Sequence, residues 1–126
     1  MKALKIKEII KKGEGIAVEF KLCKKTLSKD VFETVCAFLN RSGGELLIGV
    51  GDDGKITGVD PATLVQTKKD FVTAINNPQK ISPTFYLGIE EVQLQGKSIL
   101  CVFVPESSQV QRCPENPVFY FVYIFL

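Results

Sequence analysis

The 126-residue chain contains no histidine and no tryptophan, a single methionine, and no Cys-x-x-Cys pair. Without histidine the usual general base near neutral pH is missing, and so is every Ser-His or Cys-His nucleophile arrangement. The four cysteines, at 23, 36, 101 and 113, are scattered, which leaves a zinc site without its usual ligand spacing. Two of them sit in apolar runs, Val35-Cys36-Ala37-Phe38 and Leu100-Cys101-Val102-Phe103, and read as reduced core thiols suited to a reducing cytosol. No apolar run approaches the ~20 residues that span a bilayer, and the N-terminus lacks a signal-peptide h-region and cleavage site. The expectation is a soluble cytoplasmic protein with no membrane partner. Any chemistry must use carboxylates, lysines or a metal.

What is present fits one domain. A composition of 45% hydrophobic and 24% charged residues is ordinary for a globular fold with one core. At this size folding buries roughly two-thirds of the unfolded surface, enough without disulfides. The net charge of +2 is small but unevenly placed: residues 1–29 hold nine lysines and three glutamates, and the remainder is net negative. A basic end of that kind can meet phosphate, and equally can be a solvated helix.

Leu4, Ile6, Ile9 and Ile10 among lysines predict a short amphipathic helix that stops at Gly13. The alternation Ala17-Val18-Glu19-Phe20-Lys21 predicts a strand with Val18 and Phe20 on one face and Glu19 and Lys21 on the other. Ser28 is a candidate cap for a helix carrying Val31, Val35, Phe38 and Leu39, closed by Gly43-Gly44. Glu45 to Val50 and Ile56 to Val59 flank Asp52-Asp53-Gly54-Lys55, a hairpin signal. Asp60-Pro61 opens a helix through Leu64, Phe71, Val72 and Ile75, ending near Asn76-Asn77-Pro78. Thr84 to Gln93 and Lys97 to Val104 read as strands joined around Gln95-Gly96. The expected class is α+β, a mixed, largely antiparallel sheet with hairpins covered by two or three helices. The last nine residues, Val118 to Leu126, are continuously apolar. They are too short to span a membrane, and suggest a buried strand or an edge for self-association.

Gly49-Val50-Gly51-Asp52-Asp53-Gly54 spells G-x-G-x-x-G. A dinucleotide fingerprint needs a helix after it, whereas a strand is expected here, and two aspartates would repel the pyrophosphate. No P-loop motif occurs.

Three other blocks carry a resemblance: Glu14 through Glu19-Phe20-Lys21; Ala37-Phe38-Leu39-Asn40-Arg41-Ser42-Gly43-Gly44-Glu45-Leu46-Leu47-Ile48-Gly49-Val50; and Asp52-Asp53-Gly54-Lys55-Ile56-Thr57-Gly58. In order and spacing they resemble the Schlafen/Alba-like (AlbA_2) nucleic-acid-binding domain of microbial transcription regulators, over roughly residues 10–105. The resemblance implies one such domain over residues 1–108, followed by a divergent apolar tail over 109–126. It also implies that Glu14 and Glu19 match the family's two acids, Lys21 its lysine, and Asp52 the nearest counterpart of a third acid. The family often has an acid directly after G-V, where this chain has Gly51.

Three functions of different class follow. In the first, a nucleic-acid-binding domain of a transcription regulator meets DNA or RNA phosphate through Lys11, Lys12, Lys21, Lys24, Lys25 and Lys29, with Asn40 nearby. In the second, implied by Schlafen relatives, a metal-dependent endoribonuclease uses Glu14, Glu19 and Asp52 to hold Mg²⁺ or Mn²⁺, and Lys21 to stabilise phosphate charge. A third is a non-enzymatic module that forms a homodimer through the apolar C-terminal tail. Bland roles compete for each residue. Asp52 and Asp53 suit a turn, Asn40 suits a helix end, and Glu14 and Glu19 would lie roughly 16 Å apart on one extended strand unless Gly13 and Gly15 fold the chain back.

Overall fold

The computed structural model describes residues 2–23, 26–28, 30–75 and 87–106. Among the described residues seven elements follow one another: α1 (Lys2–Lys12), β1 (Val18–Lys21), α2 (Asp30–Leu39), β2 (Gly44–Ile48), α3 (Leu64–Ile75), β3 (Glu90–Leu94) and β4 (Lys97–Val104). The strands form one open sheet in the order β1-β2-β4-β3. β1 runs parallel to β2, and β4 pairs antiparallel with both β2 and β3. The expected α+β class and mixed sheet are what the structure shows, with two of its three strand pairs antiparallel.

Side-chain alternation sorts the sheet into two buried faces. On one, Leu46, Ile48, Leu100, Val102 and Val104 pack against Val31, Val35, Phe38 and Leu39 of α2 and Leu64, Phe71 and Ile75 of α3. The Phe32 and Phe71 rings stack with centroids 6.2 Å apart, tying α2 to α3. On the other face, Phe20, Leu47, Val92, Leu94, Ile99 and Cys101 pack against Ile6, with Ala3, Ile9 and Ile10 at the margin. The lysine-rich α1 therefore covers the sheet from the opposite side to α2 and α3.

The β3–β4 connection forms at Gln95 and Gly96, both with positive φ (53° and 73°), as a two-residue turn matched to strand twist requires. The other expected hairpin does not form as a ladder. The turn itself closes, with Gly51 N–H donating to the Lys55 carbonyl at 2.9 Å and Lys55 N–H to Asp53 Oδ1 at 2.9 Å. Beyond it only the isolated bridge between Val50 and Ile56 survives. Gly49, at φ 104°, turns the chain out of the sheet, and its carbonyl accepts from Thr57 and Gly58 N–H at 3.0 and 2.9 Å. Val59 N–H then donates to the Ser98 carbonyl at 2.9 Å, so the segment closes over β4 instead of extending β2.

α3 begins at Leu64, later than Asp60-Pro61 suggested. Asp60 instead organises a turn ahead of the helix, accepting from Ala62 N–H on Oδ1 (2.9 Å) and from Thr63 N–H on its carbonyl (3.0 Å). No helix among the described residues is long and apolar enough to cross a membrane. The apolar tail Val118–Leu126, Cys113 and the Thr84–Phe85–Tyr86 part of the strand expected over Thr84 to Gln93 lie outside the described residues.

Candidate functional site

At the end of α1, Gly13 takes a φ of 87° and its N–H donates to the carbonyls of Ile9 and Ile10 at 3.1 and 3.2 Å. A side chain other than glycine would be strained there. Gly15 and Val18 then exchange both backbone hydrogen bonds, at 3.0 and 3.3 Å, closing a tight turn into β1. This is the fold-back that Gly13 and Gly15 allow, and it returns Glu14 to the side of β1. Glu14 Oε2 accepts from the Phe20 N–H at 3.2 Å. The Ala17 and Lys21 carbonyls face β2, accepting from Glu45 and Gly49 N–H at 2.8 and 2.7 Å, so Phe20 N–H points to the open edge of the sheet. Glu14 thus satisfies a donor on an edge strand.

Glu19 and Asp52 share this neighbourhood. Partial loss of water around the Glu14 carboxyl raises its pKa most; the Phe20 N–H opposes that, and the charges of Glu19 and Asp52 and a hydrogen bond with Asp52 push it further up. The charges of the other two acids singled out in the sequence are therefore felt at Glu14, but the three do not form a metal cage. Among the described residues no group of three His, Cys, Asp or Glu side chains is arranged to hold a metal ion. One Glu14 oxygen is already engaged by the backbone. Gly51, where an acid often stands in the family, is a turn residue, and a Cβ there would lie 3.0 Å from Asp53 Oδ1. Any side chain at 51 would crowd the Asp53 carboxylate, which would have to give way. As placed, the donor set does not fit Mg²⁺ or Mn²⁺.

Lys21 points from β1 towards α2, where its Nζ lies 2.5 Å from Asp30 Oδ2 and 3.7 Å from Glu19 Oε1. The side chain is only 18% exposed. Burial, the largest single influence, lowers its pKa, but the Asp30 hydrogen bond and the charges of Asp30 and Glu19 together outweigh it, so Lys21 stays a cation. Asp30 is held below the usual carboxylate range by the Lys21 hydrogen bond first and the Ser28 hydroxyl second. Ser28 Oγ donates to Asp30 Oδ1 at the start of α2, so the expected cap acts through Asp30. Sequence reasoning missed Asp30, because an acid at a helix start is too common to mark a site.

Beside Lys21 an open cleft of about 500 Å³ separates the turn at 15–18 from α2, lined by Ile16, Glu19, Asp30, Glu33 and Arg41 among others. Lys11 and Lys12 end α1 exposed, at the helix terminus that favours cations. The Asp52–Gly54 turn lies against the same end of α1, since a Cβ on Gly54 would sit 3.6 Å from Ile10. Asn40 terminates α2, donating its N–H to the Cys36 carbonyl at 3.1 Å and Nδ2–H to Cys36 Sγ at 3.6 Å. Lys24, Lys25 and Lys29 lie outside the described residues.

Among solved structures, the fold is similar to the N-terminal domain of an ATP-dependent DNA helicase RecG-related protein from Nitrosomonas europaea. That match has a TM-score of 0.64 and 26% identity, and covers 82% of this chain and 72% of that one. It is also similar in fold to the DIP2311 protein from Corynebacterium diphtheriae, with a TM-score of 0.58 and 15% identity, covering 91% of this chain but 24% of the other. No curated protein gives a significant match. The sequence profile of the Schlafen, AlbA_2 family matches residues 14–123, taking in the fold-back at Glu14, the Gly43-Gly44 turn and all four strands, and the chain therefore belongs to the Schlafen AlbA_2 family.

Proposed function

We propose that this domain binds DNA or RNA as part of a cytoplasmic transcription regulator, contacting backbone phosphate through its lysine-rich N-terminal region. The observation that carries the reading is the segregation of charge. Nine lysines fall within residues 1–29. Five of these are on α1, where Lys11 and Lys12 stand exposed beside the turn into β1. Family membership and the DNA-helicase name of the Nitrosomonas protein support it. Lys24, Lys25 and Lys29 complete the phosphate-facing set, with Asn40 at the end of α2. Lys21 contributes less, because Asp30 and Glu19 already hold it. In this reading residues 1–108 form the binding domain, and the apolar tail over 109–126 joins two copies.

A second reading, a metal-dependent endoribonuclease, is favoured by one feature, the fold-back that holds Glu14 against β1, where the charges of Glu19 and Asp52 act on it. Against it stand the lack, among the described residues, of three side chains arranged to hold a metal ion, and the engagement of Lys21 by Asp30. A gel-shift and cleavage assay on DNA and RNA, with and without Mn²⁺, separates the two. Binding without cleavage in either condition, weakened by K11A/K12A, is expected. Mn²⁺-dependent cleavage lost in Glu14→Gln would overturn the binding-only reading in favour of the nuclease.

A further inference from the structure

On the α1 side of the sheet, the helix covers Leu47, Ile99 and Cys101 but stops short of the row above them. There Phe103 lies on β4, an interior strand, and yet is 66% exposed. Its cross-strand partner on β2 is Glu45. Continuing the β3–β4 register places Gly88 on its other side, where a Cβ would meet nothing within 4 Å. The ring therefore stands uncovered at a cleft of about 470 Å³, walled by Lys2 and Lys5 of α1. This volume lies within the roughly 300–1,000 Å³ range of small-ligand sites. At the floor, Glu45 is half-buried, and among the described residues its one ion pair is a long one, 3.9 Å to an outward-facing Lys5. Glu90 pairs with Lys2 at the rim. Burial pushes the Cys101 thiol up to about 12, so the cleft holds no thiolate nucleophile. Two lysines offset two glutamates, so net charge does not draw a ligand in. What the cleft offers is a bare aromatic face beside an acceptor.

We propose that this cleft binds an unpaired nucleobase of a single strand, stacked on Phe103, with its amino-bearing edge donating to Glu45 and with Lys2 and Lys5, paired to Glu90 and Glu45, as the cleft wall. The proposal rests on the nucleic-acid reading above and deepens it. An exposed aromatic on a sheet face flanked by lysines is the arrangement on which single strands stack. An ionised carboxylate only accepts hydrogen bonds, so Glu45 selects bases that present an amino group there. Adenine, cytosine and guanine qualify. Thymine and uracil present two carbonyls flanking one N–H, and are disfavoured.

Fluorescence anisotropy on the full chain tests this, with labelled oligo(dA), oligo(dC) and oligo(dT) of about 12 nucleotides and a duplex of similar length. Phe103→Ala should weaken oligo(dA) and oligo(dC) binding by about 5- to 50-fold while leaving duplex binding and its salt dependence unchanged. Phe103→Tyr, which keeps the ring face, should bind as wild type does, and wild type should bind oligo(dT) more weakly than oligo(dC). Single-strand affinity of Phe103→Ala equal to wild type, or oligo(dT) bound as tightly as oligo(dC), overturns the base site while leaving salt-dependent duplex binding, and the broader reading, in place. Failure of wild type to bind either form overturns both.

Discussion

Gly43→Ala tests why the turn between α2 and β2 carries two glycines. Gly43 sits at φ 80°, and its N–H donates to the Phe38 carbonyl at 2.9 Å, ending α2 in the left-handed conformation. Alanine there costs about 1–2 kcal/mol from backbone strain alone. Its Cβ would also stand 2.5 Å from the Val104 carbonyl oxygen, a main-chain atom held in the β2–β4 ladder opposite Gly44. Relieving that overlap means displacing β4, at about a further 1–3 kcal/mol. A total of about 2–5 kcal/mol should lower Tm by roughly 8–19 °C for a chain of this size. Gly96→Ala supplies the control, because Gly96 also has positive φ (73°) but nothing within 4 Å of the added Cβ. It carries the strain without the clash, so about 1–2 kcal/mol is expected. Urea melts of the two variants decide the matter. Equal losses would show that the close approach to Val104 plays no part, and that the Gly-Gly pair is not explained by how α2 hands the chain to β2.

Asp30→Asn should destabilise the fold at neutral pH. Because Lys21 and Ser28 depress the Asp30 pKa, the contribution is fully present above the ordinary carboxylate range and is lost as pH falls below that range and through the depressed Asp30 pKa, so wild type and variant should converge in urea melts near the acid end. The exposed Asp30 side chain keeps the effect modest. Removing Val118–Leu126 should change the oligomeric state, read by light scattering on a sizing column; an unchanged mass would remove the tail from any interface. The Cys101 thiol, pushed up to about 12, should react with a disulfide reagent at pH 8 far more slowly than a free thiol, and fast labelling would contradict its burial.

Much of the fold was legible because strong local signals agreed with tertiary packing. Val31, Val35, Phe38 and Leu39 marked the face of α2 that is buried, and the alternation around Phe20 placed Glu19 and Lys21 opposite the α1 layer. The Asp-Gly hairpin was over-read. Its turn chemistry is real, but Gly49 and Gly58 take positive φ and bend the flanking chain away from β2, and single glycines do not announce their φ. The site was half legible. Glu14, Glu19 and Asp52 were paired by resemblance, and Gly13 and Gly15 made their meeting sterically feasible. Nothing in the sequence indicated that Glu14 would take up the edge N–H of Phe20, or that Asp30 would take Lys21, since both depend on how the 15–18 turn and α2 dock on β1. Phe103 had no signal at all. It belongs to an apolar run, and its exposure follows from where α1 ends over the sheet.

The central claim, that the lysine-rich end meets phosphate, is tested most directly by the affinity of the full chain for duplex and single-stranded nucleic acid between 50 and 200 mM salt. For about six phosphate contacts, log affinity should fall against log salt with a slope of roughly −5 on duplex and −4 on single strands, and K11A/K12A should flatten it by about one to two units. A slope near zero, or a slope that K11A/K12A leaves unchanged, would contradict the account.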